Sequence, residues 1–110
     1  MGQFIYGSGL TSVEIDDRAL AHLKVVIIQK LRRSEGFAFS WDEGVGKGGG
    51  RSTVWLHPSM AIQFRFSGNR PATLNRDWLE SLAASANSAG GLHILPEPAT
   101  TDANAVPTVY

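Results

Sequence analysis

Histidine is the side chain best suited to chemistry near neutral pH, and this chain has three: His22, His57 and His93. His57 and His93 both fall where a strand pattern places them on an outward sheet face, and Glu14 falls there too. Three such ligands would suffice for a metal, but no HxH or HExxH spacing draws them together, so neither a metal nor any other cofactor is expected. His22 lies on a helix flank apart from its apolar stripe and is expected to face solvent. Asp16 and Asp17 are better explained by helix capping and the helix dipole than by paired-carboxylate catalysis. Ser40, Ser52 and Thr53 read as ordinary strand residues, and the G-x-S-x-G turn of a serine nucleophile is absent. No catalytic residue is expected.

The run from Gly44 to Gly50 resembles a phosphate cradle only superficially. A P-loop needs G-x-x-x-x-G-K-[ST] between a strand and a helix. Here Trp41 replaces the first glycine, Gly48 replaces the hydroxyl residue, and a strand follows. The run therefore reads as an exposed hairpin loop that carries Lys47 and Arg51.

These residues must be positioned by a small fold. The 110 residues suffice for one domain, and the 43% apolar content is enough for a core. Ten basic and ten acidic residues cancel, which argues against a protein that coats nucleic acid or an anionic membrane. The absence of cysteine excludes disulfides, zinc–thiolate sites and thiol catalysis. No apolar run is long enough to span a bilayer and the N-terminus lacks a signal-peptide pattern, so a cytoplasmic location without membrane attachment is expected.

Period-two alternation marks the strands. Gln3 to Tyr6 and Thr11 to Asp16 form a hairpin; FAFSWD, RSTVWLH and AIQFRFS read as a three-stranded meander. Phe37, Phe39 and Trp41 share one face of the first meander strand; Ile62, Phe64 and Phe66 share one face of the third. A helix capped by Asp16 runs to about Arg33, with Gly36 as its break, and its stripe is Leu20, Leu23, Ile27 and Leu31. A second helix capped by Asn75 runs to about Asn87, and Gly91 to Leu95 forms a last strand. The expected fold class is α+β: one small domain over residues 1–95, β-β-α-β-β-β-α-β, with a mostly antiparallel sheet and two helices packed on one face. Residues 96–110, rich in Pro, Ala and Thr, read as a tail.

Two surfaces stand out. If Val54 and Leu56 face the core, Trp55 is left outside among polar neighbours, and the meander would set it near His57, Gln63 and Arg65, with Ser40 and Asp42 on the flank. The first helix also carries a second apolar side, Ala21, Val25 and Ile28, either covered within the domain or used as a subunit contact.

The segments GQFIYG, VEIDDRALAHLKVVIIQKLRRSEGFAFSW, GRSTVWLHPSMAIQFRFSG, LNRDWLESLAASANSAGGL and PEP, over roughly residues 1 to 98, resemble a family of small actinobacterial proteins. Members of that family are often labelled ATP-dependent DNA ligases. Such ligases take up AMP on the lysine of a K-x-D-G motif. Lys24 is followed by Val-Val-Ile, Lys30 by Leu-Arg-Arg and Lys47 by three glycines, so this chain alone is not expected to ligate DNA.

Taken together, the residues suggest a non-enzymatic binding or assembly module. It would self-associate or dock a protein through Trp55, His57, Gln63 and Arg65, or through Ala21, Val25 and Ile28. Nucleic-acid binding is the alternative, with Lys47, Arg51 and Arg65 on phosphates and Trp55 stacked on a base. A small enzyme using His57 with Asp42 or Glu14 is a further one.

Overall fold

The computed structural model describes residues 1–8, 11–42, 50–99 and 105–107, the last three by their backbone alone. Its elements are β1 (Gly2–Tyr6), β2 (Thr11–Ile15), α1 (Asp17–Arg32), β3 (Phe37–Asp42), β4 (Arg51–Leu56), β5 (Ile62–Arg65), β6 (Thr73–Asn75), α2 (Arg76–Ala86), β7 (Leu92–His93) and β8 (Ala105–Pro107). The chain is α+β, with two three-stranded sheets that are mostly antiparallel and two helices.

Both helix starts follow from their caps. The Asp16 carboxylate accepts from the backbone N–H of Arg18 at 3.1 Å and of Ala19 at 3.2 Å. The Asn75 side-chain carbonyl accepts from Asp77 at 3.0 Å and Trp78 at 3.3 Å. Each cap satisfies donors that the first helical turn leaves without intrahelical partners. The end of α1 departs from expectation. The left-handed residue is Ser34 (φ 58), whose N–H bonds back to Leu31, so the helix is already closed before Gly36.

One sheet runs β2-β1-β5, the other β4-β3-β7. The expected meander therefore breaks after its second strand. β3 and β4 do form a hairpin, but β5 leaves β4 and pairs antiparallel with β1, setting Phe64 opposite Phe4 and Gln63 opposite Ile5. Alternation states which face of a strand is buried and is silent on which edge it joins. The crossing is stitched by Tyr6, whose hydroxyl donates to the Trp55 carbonyl, and by Gly7 N–H on the Ala61 carbonyl at 2.8 Å.

Inward residues of both sheets meet edge-on at Phe4 and Phe39, with ring centroids 5.2 Å apart. Leu20, Leu23 and Ile27 of α1, Leu82 of α2, Leu56 and Leu92 complete the centre. Each such side chain contributes about 1.5–3 kcal/mol by leaving water. The parallel strand β7 reaches β3 closely because Gly91 is bare. A Cβ there would lie 2.7 Å from the Ala38 carbonyl, and its φ of +81° is one that side-chain-bearing residues rarely adopt.

The helices meet at His22, which is fully buried rather than exposed. Its ring packs on Trp78 with centroids 4.4 Å apart. Nδ1 lies 2.7 Å from the Arg18 carbonyl and so carries the proton of the neutral ring; Nε2 accepts from Asn75 N–H at 2.8 Å. On a helical wheel the residue looked peripheral because α2 and β6, which cover it, arrive from far along the chain.

Attachments extend beyond Leu95, where the tail was expected to begin. Trp78 Nε1–H donates to the Leu95 carbonyl at 3.0 Å. Glu97 takes both Arg18 Nε (2.8 Å) and Nη2 (2.7 Å), and Asn75 Nδ2 donates to Glu97 and to the Pro98 carbonyl, each at 3.0 Å. β8 then pairs antiparallel with β6.

Burial lowers the His22 pKa from its ordinary 6.5, because a charged ring there would lose water and press a second N–H against Asn75. The unfolded state thus binds more protons just below that ordinary value, and stability falls as pH drops through this range, then levels off under the folded pKa. Arg18 holds Glu97 down at about 2, so that contact survives until strong acid. Thermal unfolding should show a loss of stability between about pH 7 and pH 5. His22→Leu should cost about 1–3 kcal/mol, by orphaning Asn75 N–H, and flatten that limb. An unchanged slope in the variant would assign the titration elsewhere.

Candidate docking face

The outward residues of β4-β3-β7 form an ordered grid fixed by strand register. Trp55 stands opposite Ala38, Thr53 opposite Ser40, and Arg51 opposite Asp42; His93 of β7 aligns with Ser40 from the other side. Inward neighbours Phe37, Phe39, Trp41 and Leu56 are buried, so one face is anchored in the core while the other is open.

Trp55 is 60% exposed, a rare state for so large an apolar ring. Its indole is nonetheless seated. It lies against the bare backbone of Gly36, where a Cβ would come within 2.8 Å of Cζ2. The glycine expected to break the helix instead makes room for the ring. On one flank Trp55 borders a hollow of about 280 Å³ among small residues, including Ala38, Ala86, Ala89 and Gly91. Lys30, Asn87 and Ser88 share the lining, so the result is an aromatic ridge beside a shallow socket of mixed polarity.

Along the same strands the face becomes polar. Glu14, Ser40, Asp42, Arg51, Thr53 and His93 line a groove of about 730 Å³. Ser40 and Thr53 hydroxyls bond at 2.7 Å. His93 Nδ1 lies 3.1 Å from the Gly91 carbonyl, so its neutral ring carries the proton there and leaves the Nε2 lone pair. The strand itself is tied to α2, since His93 N–H donates to Ser85 Oγ at 3.0 Å.

The expected site residues divide. Trp55 and Arg51 belong to this face, with Ser40 and Asp42 beside them. Gln63 and Arg65 do not. They sit on β5 of the other sheet, opposite Ile5 and Gln3, because β5 pairs with β1. His57 lies in the turn after β4, where Nδ1 accepts from Ser59 N–H at 3.2 Å and bonds Ser59 Oγ at 2.8 Å. The histidine beside Glu14 and Asp42 is therefore His93, and the pairing of His57 with those carboxylates is not formed. Lys47 and its glycine loop lie outside the described residues. On α1, Val25 is only 8% exposed, while Ala21 and Ile28 are half-buried. Among the described residues no group of three or more His, Asp or Glu could hold a metal.

An α+β module with an open sheet face thus carries the candidate site. The chain belongs to the DUF7882 family, a domain of unknown function whose model matches residues 1–97. Comparison with curated proteins and with solved structures found no match. The family match stops at Glu97, the residue whose carboxylate fastens Arg18 and Asn75.

Seating of the indole is open to test. Gly36→Ala should push Trp55 off the backbone, raising its quenching by acrylamide while changing stability by less than about 1 kcal/mol. Trp55→Phe should remove most of the quenchable emission, since Trp41 and Trp78 are buried. Unaltered quenching in Gly36→Ala would show that the glycine plays no part in holding the ring.

Proposed function

We propose that this domain is a non-enzymatic binding module that docks a protein surface, a second copy of itself included, through the outer face of β4-β3-β7. The observation that carries this reading is the exposed but seated Trp55. Its ring is held in place before any partner arrives, so little further ordering is lost on contact. Aromatic anchors beside small sockets and ringed by polar groups are the usual energetic centre of protein interfaces. Thr53, Ser40, Asp42, Arg51 and His93 supply that polar surround.

Nucleic acid is served less well. Arg65 belongs to the other sheet, and the Arg51 position is flanked by Asp42 and Glu14, which repel phosphate. DNA ligation, the activity named for chains that this one resembles, has no K-x-D-G lysine to begin it. No helix among the described residues is long and apolar enough to cross a membrane.

Light scattering over a concentration series at two salt levels tests the reading. The mass should rise above that of one chain with concentration. Trp55→Ala should weaken association by at least about 2 kcal/mol, close to thirtyfold in Kd, with unfolding unchanged. Ala38→Arg, which fills the socket, should act alike. A single-chain mass at every concentration, or association indifferent to both substitutions, would defeat docking of a second copy through this face.

A further inference from the structure

A second concavity lies beside the first turns of α1 and shares no lining residue with the Trp55 face. It exists because Asp17 pins the following loop alongside the helix. The carboxylate accepts from Ser67 N–H at 3.2 Å, from Ser67 Oγ at 3.0 Å and from Gly68 N–H at 3.0 Å. Those bonds hold its pKa below the usual carboxylate range and spend its lone pairs on the loop. Between helix and loop a groove of about 380 Å³ remains, within the range of small-ligand sites.

The groove combines two chemistries. Its apolar lining comes from Ala21, Phe66 and Pro71, and its charged lining from Arg18, Lys24 and Arg70. Lys24 Nζ lies over the Phe66 ring, 5.7 Å from its centroid, so cation and ring are adjacent. The one carboxylate in the lining, Asp17, is directed into the loop. Glu97, which balances Arg18, does not line the groove. With Arg18 committed to Glu97 and the Thr73 carbonyl, Lys24 and Arg70 against Asp17 leave one formal positive charge in excess beside an apolar wall.

We propose that this groove binds a small amphipathic anion, a flat apolar body bearing a carboxylate or phosphate. The body would lie on Phe66 and against Ala21, and the anionic group would meet Arg70 and Lys24. Ala21 belongs to the second apolar side of the helix, and this occupant gives that side a use other than a subunit contact. The reading is independent of docking through Trp55.

Amide-shift titrations of the full chain with benzoate, phenyl phosphate, benzyl alcohol and inorganic phosphate test it. Benzoate or phenyl phosphate should shift Ala21, Phe66, Gly68 and Arg70 amides saturably, and whichever binds more tightly names the headgroup. Benzyl alcohol and inorganic phosphate should each bind at least about tenfold more weakly, since each supplies half of the recognition. Ala21→Phe should fill the groove and abolish binding. Arg70→Glu, on an exposed loop, should weaken it about tenfold or more with the fold intact. Absence of saturation, equal binding of the alcohol, equal binding of free phosphate, or indifference to Arg70→Glu would each overturn the proposal. Shifts of the same amides with protein concentration alone would assign the groove to a second copy and also overturn it.

Discussion

Asn75 is the point at which separate parts of the chain are tied together. At 1% exposure, a polar side chain there is tolerable only if its hydrogen-bonding groups are satisfied. Its Oδ1 caps α2, its Nδ2 donates to Glu97 and Pro98, and its backbone N–H is taken by His22 of α1. One residue therefore sets the start of one helix, its docking against another, and the path of the segment after β7. A buried network of this kind is worth more than its pairwise bonds, and losing any member strands the others without water. Lys30 makes a comparable link at the far end of α1. Its ammonium donates to Asn87 at 2.8 Å, pairs with Glu35 at 3.0 Å and lies over Phe37.

What could be read from the sequence were the features decided locally. Both N-caps, both helices, six of the strands and the burial of Phe37, Phe39 and Trp41 follow from short-range pattern and side-chain chemistry. The larger errors are long-range. His22 is polar and off the apolar stripe, yet its burial is decided by Asn75 and Trp78, more than fifty positions away. Nothing in AIQFRFS indicates that its partner is β1 rather than β4. β6 and β8 were missed because three residues are too few for alternation to register; they exist through their pairing with each other.

The candidate face shows the same division. That Trp55 points outward is a matter of parity once Leu56 is inside, and the exposed ring agrees. Who stands beside it depends on strand pairing. Gln63 and Arg65 were therefore wrong companions, while Ala38, Thr53 and His93 are the residues that register brings near. The role of Gly36 emerges only with the structure. A glycine two residues after the left-handed Ser34 is not needed to end the helix, so its lack of a side chain calls for another reason, and the indole of Trp55 provides it.

β4 is an outer strand of its sheet among the described residues, and such edges normally invite another strand to add on. At the Trp55 end that route is obstructed. Tyr6 of the other sheet already donates to the Trp55 carbonyl, and the chain turns there through Pro58 toward β5. The carbonyl that an added strand would need is engaged, while the indole of the same residue stays open. Backbone pairing is largely indifferent to partner sequence, whereas a ring beside a socket of small residues discriminates by shape. An interface built on this face would therefore select its partner through side chains. The Tyr6 bond, made to join two sheets, would also favour specific docking over edge-to-edge aggregation.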